Sequence, residues 1–282
     1  MHLGNWQLDV VSGGNLRLDG GAMFGVVPRT LWEKEHPPDD KNRIQMATNC
    51  LLLRDGKHTV LIDTGYGGKF DDRQRKIFCL DEGEPLLACL VARGLVAEDI
   101  DMVVLSHLHF DHAGGATRRD DEGNLVPTFP RARYVVQRLE WETAVAKIPE
   151  LKGNYPLENL LPLEAAGQLD FIDGETEILP NLSAWPTPGH TKGHQSLILK
   201  TAEQSVVYLS DVCPTLSHLR AMWCMAYEVD LLETRRRKPQ VLGRVADEHW
   251  LAVFCHDPKV VAGRLLRDTK REFIVEDPLE SL

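Results

Sequence analysis

The stretch that most constrains this chain is Ser106-His107-Leu108-His109-Phe110-Asp111-His112-Ala113-Gly114-Gly115, which follows the apolar, β-branched run Met102-Val103-Val104-Leu105. That run reads as a buried strand ending where the histidines begin. His107 and His109, two residues apart at a strand end, project to one side, and Asp111 and His112 point elsewhere once the chain turns. One short segment can therefore serve two metal ions. Imidazole and carboxylate donors suit Zn²⁺, Mn²⁺ or Fe, and the segment's lack of thiolates argues against a closed structural zinc site. Gly114 and Gly115 let the backbone turn tightly beneath the ligands. The competing reading is a polar loop rich in histidine by accident, but with 11 histidines in 282 residues such a pattern arises in roughly one chain in a thousand.

The same design recurs along the chain. Thr59 to Ile62 is an apolar strand that leads into Asp63, which either caps a turn or, beside a histidine metal centre, orients a ligand imidazole. Leu182 to Pro186 runs into Thr187-Pro188-Gly189-His190-Thr191-Lys192-Gly193-His194, where proline and glycine force a loop just as a histidine appears. Ser205 to Leu209 ends in Ser210-Asp211, and Leu251 to Cys255 ends in His256-Asp257. Five apolar strands thus end in Asp63, His107, His190, Asp211 and His256. A carboxylate at a strand end, such as Asp211, can bridge two cations. His194 is read as a structural hydrogen-bonding residue that opens the strand Gln195 to Lys200.

The remaining elements are read more coarsely. Trp6 to Ser12 and Asn15 to Leu18 suggest a hairpin around Gly13-Gly14, and Met46 to Leu53 a strand joined to the next at Asp55-Gly56. Gly20 to Lys41 has no clean periodicity; its apolar residues form a flap on the core, a contact in a homodimer, or a wall of the substrate pocket. Glu84 to Gly94 is a helix closed by glycine. Ala116 to Phe129 is a loop or small hairpin, Arg133 to Gln137 a strand and Leu139 to Lys147 a helix. Strands follow at Leu169 to Ile172 and Glu175 to Ile178. One domain over residues 1–282 is expected from the length and 43% hydrophobic content.

The formal net charge of −10 repels a phosphate backbone, which disfavours nucleic acid despite the run Arg235-Arg236-Arg237-Lys238, read as a solvated helix face. The first residues lack the features of a signal peptide, and no stretch approaches a membrane span. Six cysteines without C-x-x-C spacing suggest buried free thiols and a reducing cytoplasm.

The motifs Leu61-Ile62-Asp63-Thr64-Gly65, His107 to His112, Thr187-Pro188-Gly189-His190, Asp211 and Phe254-Cys255-His256-Asp257 resemble those of the metallo-β-lactamase fold superfamily. The resemblance implies an α/β fold, a four-layer αββα sandwich. It also implies that His107, His109 and His190 hold one metal, that Asp111, His112 and His256 hold the other, and that Asp211 bridges them. His109, where diiron oxygen-reducing relatives have Glu, favours hydrolysis over the chemistry of a non-haem iron oxidoreductase.

Within the superfamily, the stretch Thr187 to Leu197 is similar to that of N-acyl homoserine lactonases and the methyl parathion hydrolase group. The tyrosine that assists ring opening in well-known lactonases falls at Pro214 here, so His218 or Tyr227 on the following segment is the candidate replacement. The expected activity is that of a dinuclear hydrolase, with zinc preferred and Mn, Fe or Co as alternatives. A metal-bridging hydroxide would be the nucleophile, Asp211 would position it and Asp111 would move a proton. The expected substrate is a small lactone or other ester such as an acyl homoserine lactone, with a phosphotriester or a glyoxalase II-like thioester as alternatives. Met23, Phe24, Trp32, Met222 and Trp223 are the expected apolar pocket walls.

Overall fold

The structure, a computed structural model, describes residues 1–151 and 153–282. The chain divides into two compact units, Met1–Gly14 with Thr48–Gly174, and Asn15–Ala47 with Glu175–Leu282. Each is built around a sheet covered by helices, the half-unit of an αββα architecture.

In the first sheet the strands are β1 (His2–Leu3), β2 (Trp6–Asp19), β3 (Arg43–Arg54), β4 (Thr59–Ile62), β5 (Met102–Val104), β8 (Arg133–Gln137) and β9 (Leu169–Ile172), in that spatial order. The unit boundary falls within β2 and β3. β6 (Thr117–Arg119) and β7 (Leu125–Pro127) form a separate hairpin, as the turn-rich sequence after the histidine motif suggests. β4, β5, β8 and β9 are parallel, with Ile62 opposite Val104 and Val104 opposite Val135. Their continuous apolar runs fit strands buried on both faces. The core of this unit includes Leu52, Leu61, Val103, Leu105, Tyr134 and Leu90. Leu90 lies on the helix Pro85–Val91, whose N-terminal proline suits a first helical turn.

The second sheet runs β10 (Thr176–Leu179), β11 (Leu182–Pro186), β12 (Gln195–Lys200), β13 (Ser205–Tyr208), β14 (Leu251–Val253), β15 (Ala262–Asp268) and β16 (Glu272–Leu279) in sequence order. Only β13 and β14 are parallel, with Tyr208 opposite Val253. The helix Leu231–Asp247 makes this crossover, and its Val241, Leu242 and Val245 enter a core with Val207, Ala252, Phe254 and Leu265. Burying one such side chain contributes roughly 1.5–3 kcal/mol.

Three readings of the sequence are corrected. Gly13-Gly14 does not turn a hairpin: β2 runs straight through it, with Gly14 at φ 108 and its carbonyl accepting from Thr48 Oγ1 at 2.9 Å. Met23, Phe24 and Trp32 are not open pocket walls but are buried. The Phe24 ring stacks on Trp32 at 5.5 Å and on His218 at 5.0 Å, with Trp223 edge-on at 5.4 Å. Lys238 is not on a solvated face; it is 1% exposed and its Nζ donates to the carbonyls of Arg220 and Trp223.

Candidate metal centre

Parallel pairing places the first group of donors. Because Ile62 and Val104 are in register, Asp63 and the chain from Ser106 onward leave the same sheet edge, at the carboxyl ends of the strands, where open α/β sheets hold their ligands. Asp63 turns there with φ 60, a conformation Asp tolerates better than most residues. Its buried carboxylate takes three hydrogen bonds, from Ser106 N, Ser106 Oγ and His112 Nδ1, each at 2.7 Å. His112 therefore carries its proton on Nδ1 and presents Nε2. The His107 ring lies 4.1 Å from that of His112 and 4.7 Å from that of His109. Asp111 is buried on the one-turn helix Phe110–Ala113.

The glycines after the motif are required by close approach. Thr64 N donates to His112 O at 2.7 Å and Gly115 N to Gly65 O at 3.0 Å, and a Cβ on Gly114 or Gly115 would collide with the Tyr66 or Thr64 carbonyl. Glu140, fully buried, accepts from Leu108 N between the first two histidines at 3.1 Å. Tyr155 lays its ring 5.2 Å from that of His109.

Register in the second sheet places the other group. With Pro186 opposite Gln195, Leu197 opposite Tyr208 and Tyr208 opposite Val253, the loop 187–194, Asp211 and His256 leave one edge together. Asp211 faces His190 Nε2 with Oδ2 at 3.1 Å and His256 Nε2 with Oδ1 at 3.2 Å. Its two oxygens thus serve two different histidines. The Nδ1 atom of His256 is held from behind by the Ala47 carbonyl at 2.7 Å, and that of His190 faces the Glu228 carboxylate, with Oε2 at 3.4 Å. His194 is structural, accepting from Asp211 N on Nε2 and meeting Thr187 Oγ1 on Nδ1. Burial opposes a charge on His190, yet Asp211 and Glu228 together push its proton affinity up to about 10. A field that holds a proton so firmly is one in which a divalent cation can take the proton's place.

Of the assisting candidates, His218 is buried with Nε2 on Met23 O at 2.9 Å and Nδ1 on Thr215 Oγ1 at 2.7 Å. Both nitrogens are engaged in packing this unit. Tyr227 is 37% exposed and precedes Glu228 in the chain. Glu228 and Cys255 escaped the sequence reading. The Glu228 side chain is 2% exposed and also accepts from Thr234 Oγ1 at 2.8 Å; it follows no strand, so no strand-end pattern marks it. Cys255 donates its thiol to Asp211 Oδ1 at 3.1 Å, and the strand it closes marks only its neighbour His256.

The donors fit transition-metal ions. They are buried imidazole nitrogens and carboxylate oxygens with oriented rings, the choice of Zn²⁺, Mn²⁺ or Fe²⁺ sites. The chain carries the ligand motif of a dinuclear centre; within the second unit the ligand atoms of Asp211, Cys255 and His256 lie within 4.8 Å of one another, and Asp111, expected as a ligand, is not among the clustered donors.

Comparison with known proteins agrees. The family described as the metallo-beta-lactamase superfamily matches residues 43–256. An N-acyl homoserine lactonase from Bacillus cereus is 29% identical over 182 residues, 60% of this chain and 64% of that protein, less than two thirds of the relative's length. The crystal structure of a probable metal-dependent hydrolase from Staphylococcus aureus is similar with a TM-score of 0.89 at 29% identity, over 99% of this chain and 100% of that one. AidC, a dizinc quorum-quenching lactonase, shares the fold with a TM-score of 0.80 at 23% identity, over 98% of this chain and 96% of that one.

Proposed function

The chain belongs to the metallo-β-lactamase superfamily, and from that premise we propose that it is a dinuclear metal-dependent hydrolase, acting on a lactone or another ester with an apolar group. The observation that carries this is Asp211, whose two carboxylate oxygens each face a different buried histidine. His107, His109 and His190 would hold one ion and Asp111, His112 and His256 the other, with Asp211 able to serve both. The curated lactonase that the chain resembles supports an acyl homoserine lactone as the substrate, and zinc is among the metals that fit the donor set.

The ion pair, when bound, supplies an acidified water and an electrophile for the carbonyl oxygen. The remaining tasks belong to side chains. Asp63 fixes the tautomer of His112, and the Glu228 carboxylate places a negative charge behind His190. Asp111 holds a proton taken from the attacking water and returns it to the leaving alkoxide, at no net cost in protons. The Tyr227 phenol donates a hydrogen bond to the carbonyl or leaving oxygen, the role left vacant by Pro214; His218 is not assigned it, since its nitrogens hold Met23 and Thr215. Residues 1–282 act as one catalytic domain, a reading supported by the single family that spans residues 43–256.

The protein acts in a reducing cytoplasm, which suits its six free thiols, and its charge disfavours polyanions. Among the described residues no helix is long and apolar enough to cross a membrane. A panel of acyl homoserine lactones, aryl esters, phosphotriesters, thioesters, β-lactams and RNA tests the proposal. Turnover should be greatest on a lactone or ester. Efficient RNA cleavage with every ester and lactone inert would overturn the reading.

A further inference from the structure

The second unit contains a cavity of about 300 Å³ walled by Leu216, Leu219, Trp223, Phe273 and Ile274, and lined also by Arg220, Arg271 and Glu35. Its volume is at the lower end of small-molecule sites. The charges distinguish it. In a chain with 42 acidic against 32 basic side chains, several arginines meet carboxylates, as Arg29, Arg54, Arg138, Arg244 and Arg267 do. Among the described residues neither the Arg220 nor the Arg271 side chain makes an ion pair, although the Arg271 charge and backbone N–H favour the Asp268 carboxylate, and both arginines line one cavity. Arg220 instead lies over the Trp223 ring at 4.5 Å, a stacking that holds a guanidinium while leaving its edge donors available. Glu35, the one carboxylate in the lining, is exposed and free to turn toward water.

We propose that this cavity is a second ligand site, for an amphipathic monoanion: an apolar chain seated on Leu219, Phe273 and Ile274, with a terminal carboxylate held by Arg220 and Arg271. An apolar floor with a few convergent polar groups suits such a ligand, and planar guanidinium donors suit a carboxylate. The walls are also coupled to the metal-ligand segments. Leu216 follows Asp211 by five residues, Val260 follows His256 by four, and the Asp257 carboxylate accepts from both backbone N–H groups, at 3.1 and 2.9 Å. The site does not depend on the hydrolytic reading.

The test is calorimetric titration of the metal-loaded protein with octanoate, and in parallel with 1-octanol, which has the same chain and no charge. Octanoate should bind with one-to-one stoichiometry. Arg220→Gln and Arg271→Gln should each weaken it about tenfold, the usual size of one charge-assisted hydrogen bond, and leave 1-octanol unchanged. Glu35→Gln should tighten octanoate. If octanoate does not bind, or binds equally to both arginine variants because it sits at the metal centre, the proposal is wrong. Equal losses for octanoate and octanol would also overturn the carboxylate clamp, since a damaged wall affects both.

Discussion

At the scale of residues, the candidate centre rests on imidazoles whose Nδ1 atoms already face an acceptor. Asp63 takes that of His112 and the Ala47 carbonyl that of His256, while the Glu228 carboxylate faces that of His190. Glu228→Gln keeps the shape but removes the charge behind His190, so metal affinity should fall about 10–100-fold, measured by competition with a chromophoric chelator. Wild-type affinity in that variant would make Glu228 a packing residue. His218 offers an independent check. Burial first, then the nearby Lys238 ammonium, lower its pKa from 6.5 to about 3. The unfolded chain therefore takes up a proton between pH 6.5 and 3 that the folded chain refuses. This contribution is complete above pH 6.5 and falls with pH by about 1.4 kcal/mol per unit. In urea unfolding between pH 7 and 5, His218→Asn should give a flatter stability profile than wild type. Parallel profiles would contradict the assignment of a neutral, buried His218.

At the scale of elements, the site is a consequence of strand register. Parallel pairing of β4 with β5 and of β13 with β14 brings Asp63 beside the histidine motif and Asp211 beside His256. Those strands were legible as apolar runs ending in Asp or His. Period and composition do not specify what lies between them, so Glu228 on its loop went unread and Lys238 among arginines was misread. The Gly13-Gly14 pair was misread for a related reason: glycine signals conformational freedom, and here the freedom serves an unbroken strand against Thr48. β15 and β16 also passed unread, since their pattern alternates weakly with charge. At Gly189 the freedom is used fully. It sits at φ 135, and a Cβ there would lie 2.6 Å from the Thr234 nitrogen at the start of the helix Leu231–Asp247. Gly189→Ala should cost about 2–4 kcal/mol through strain and overpacking, read as a lowered midpoint in denaturant. A wild-type midpoint would mean that the His190 loop relaxes without cost.

At the scale of the whole molecule, the ligand set is divided: residues 107, 109, 111 and 112 belong to one compact unit, and residues 190, 211 and 256 to the other. Ions bound by the native chain alone stabilise it by mass action, about 4 kcal/mol per site at a thousandfold excess over Kd. Chelation should therefore lower the thermal midpoint, and added Zn²⁺ should restore it. Asp211→Asn, which weakens the shared ligand, should blunt that response. The superfamily fold was legible from motifs spread over the chain, because ligand chemistry tolerates few alternatives at strand ends. The substrate was not, because pocket walls are set by packing, as the burial of Phe24 and Trp32 shows. The most direct measurement is the rate of acyl homoserine lactone ring opening as Zn²⁺ is titrated into chelator-stripped protein. The expected rate is negligible at the start and rises to a plateau near two ions per chain; full hydrolysis by the stripped protein would contradict a metal-dependent hydrolase.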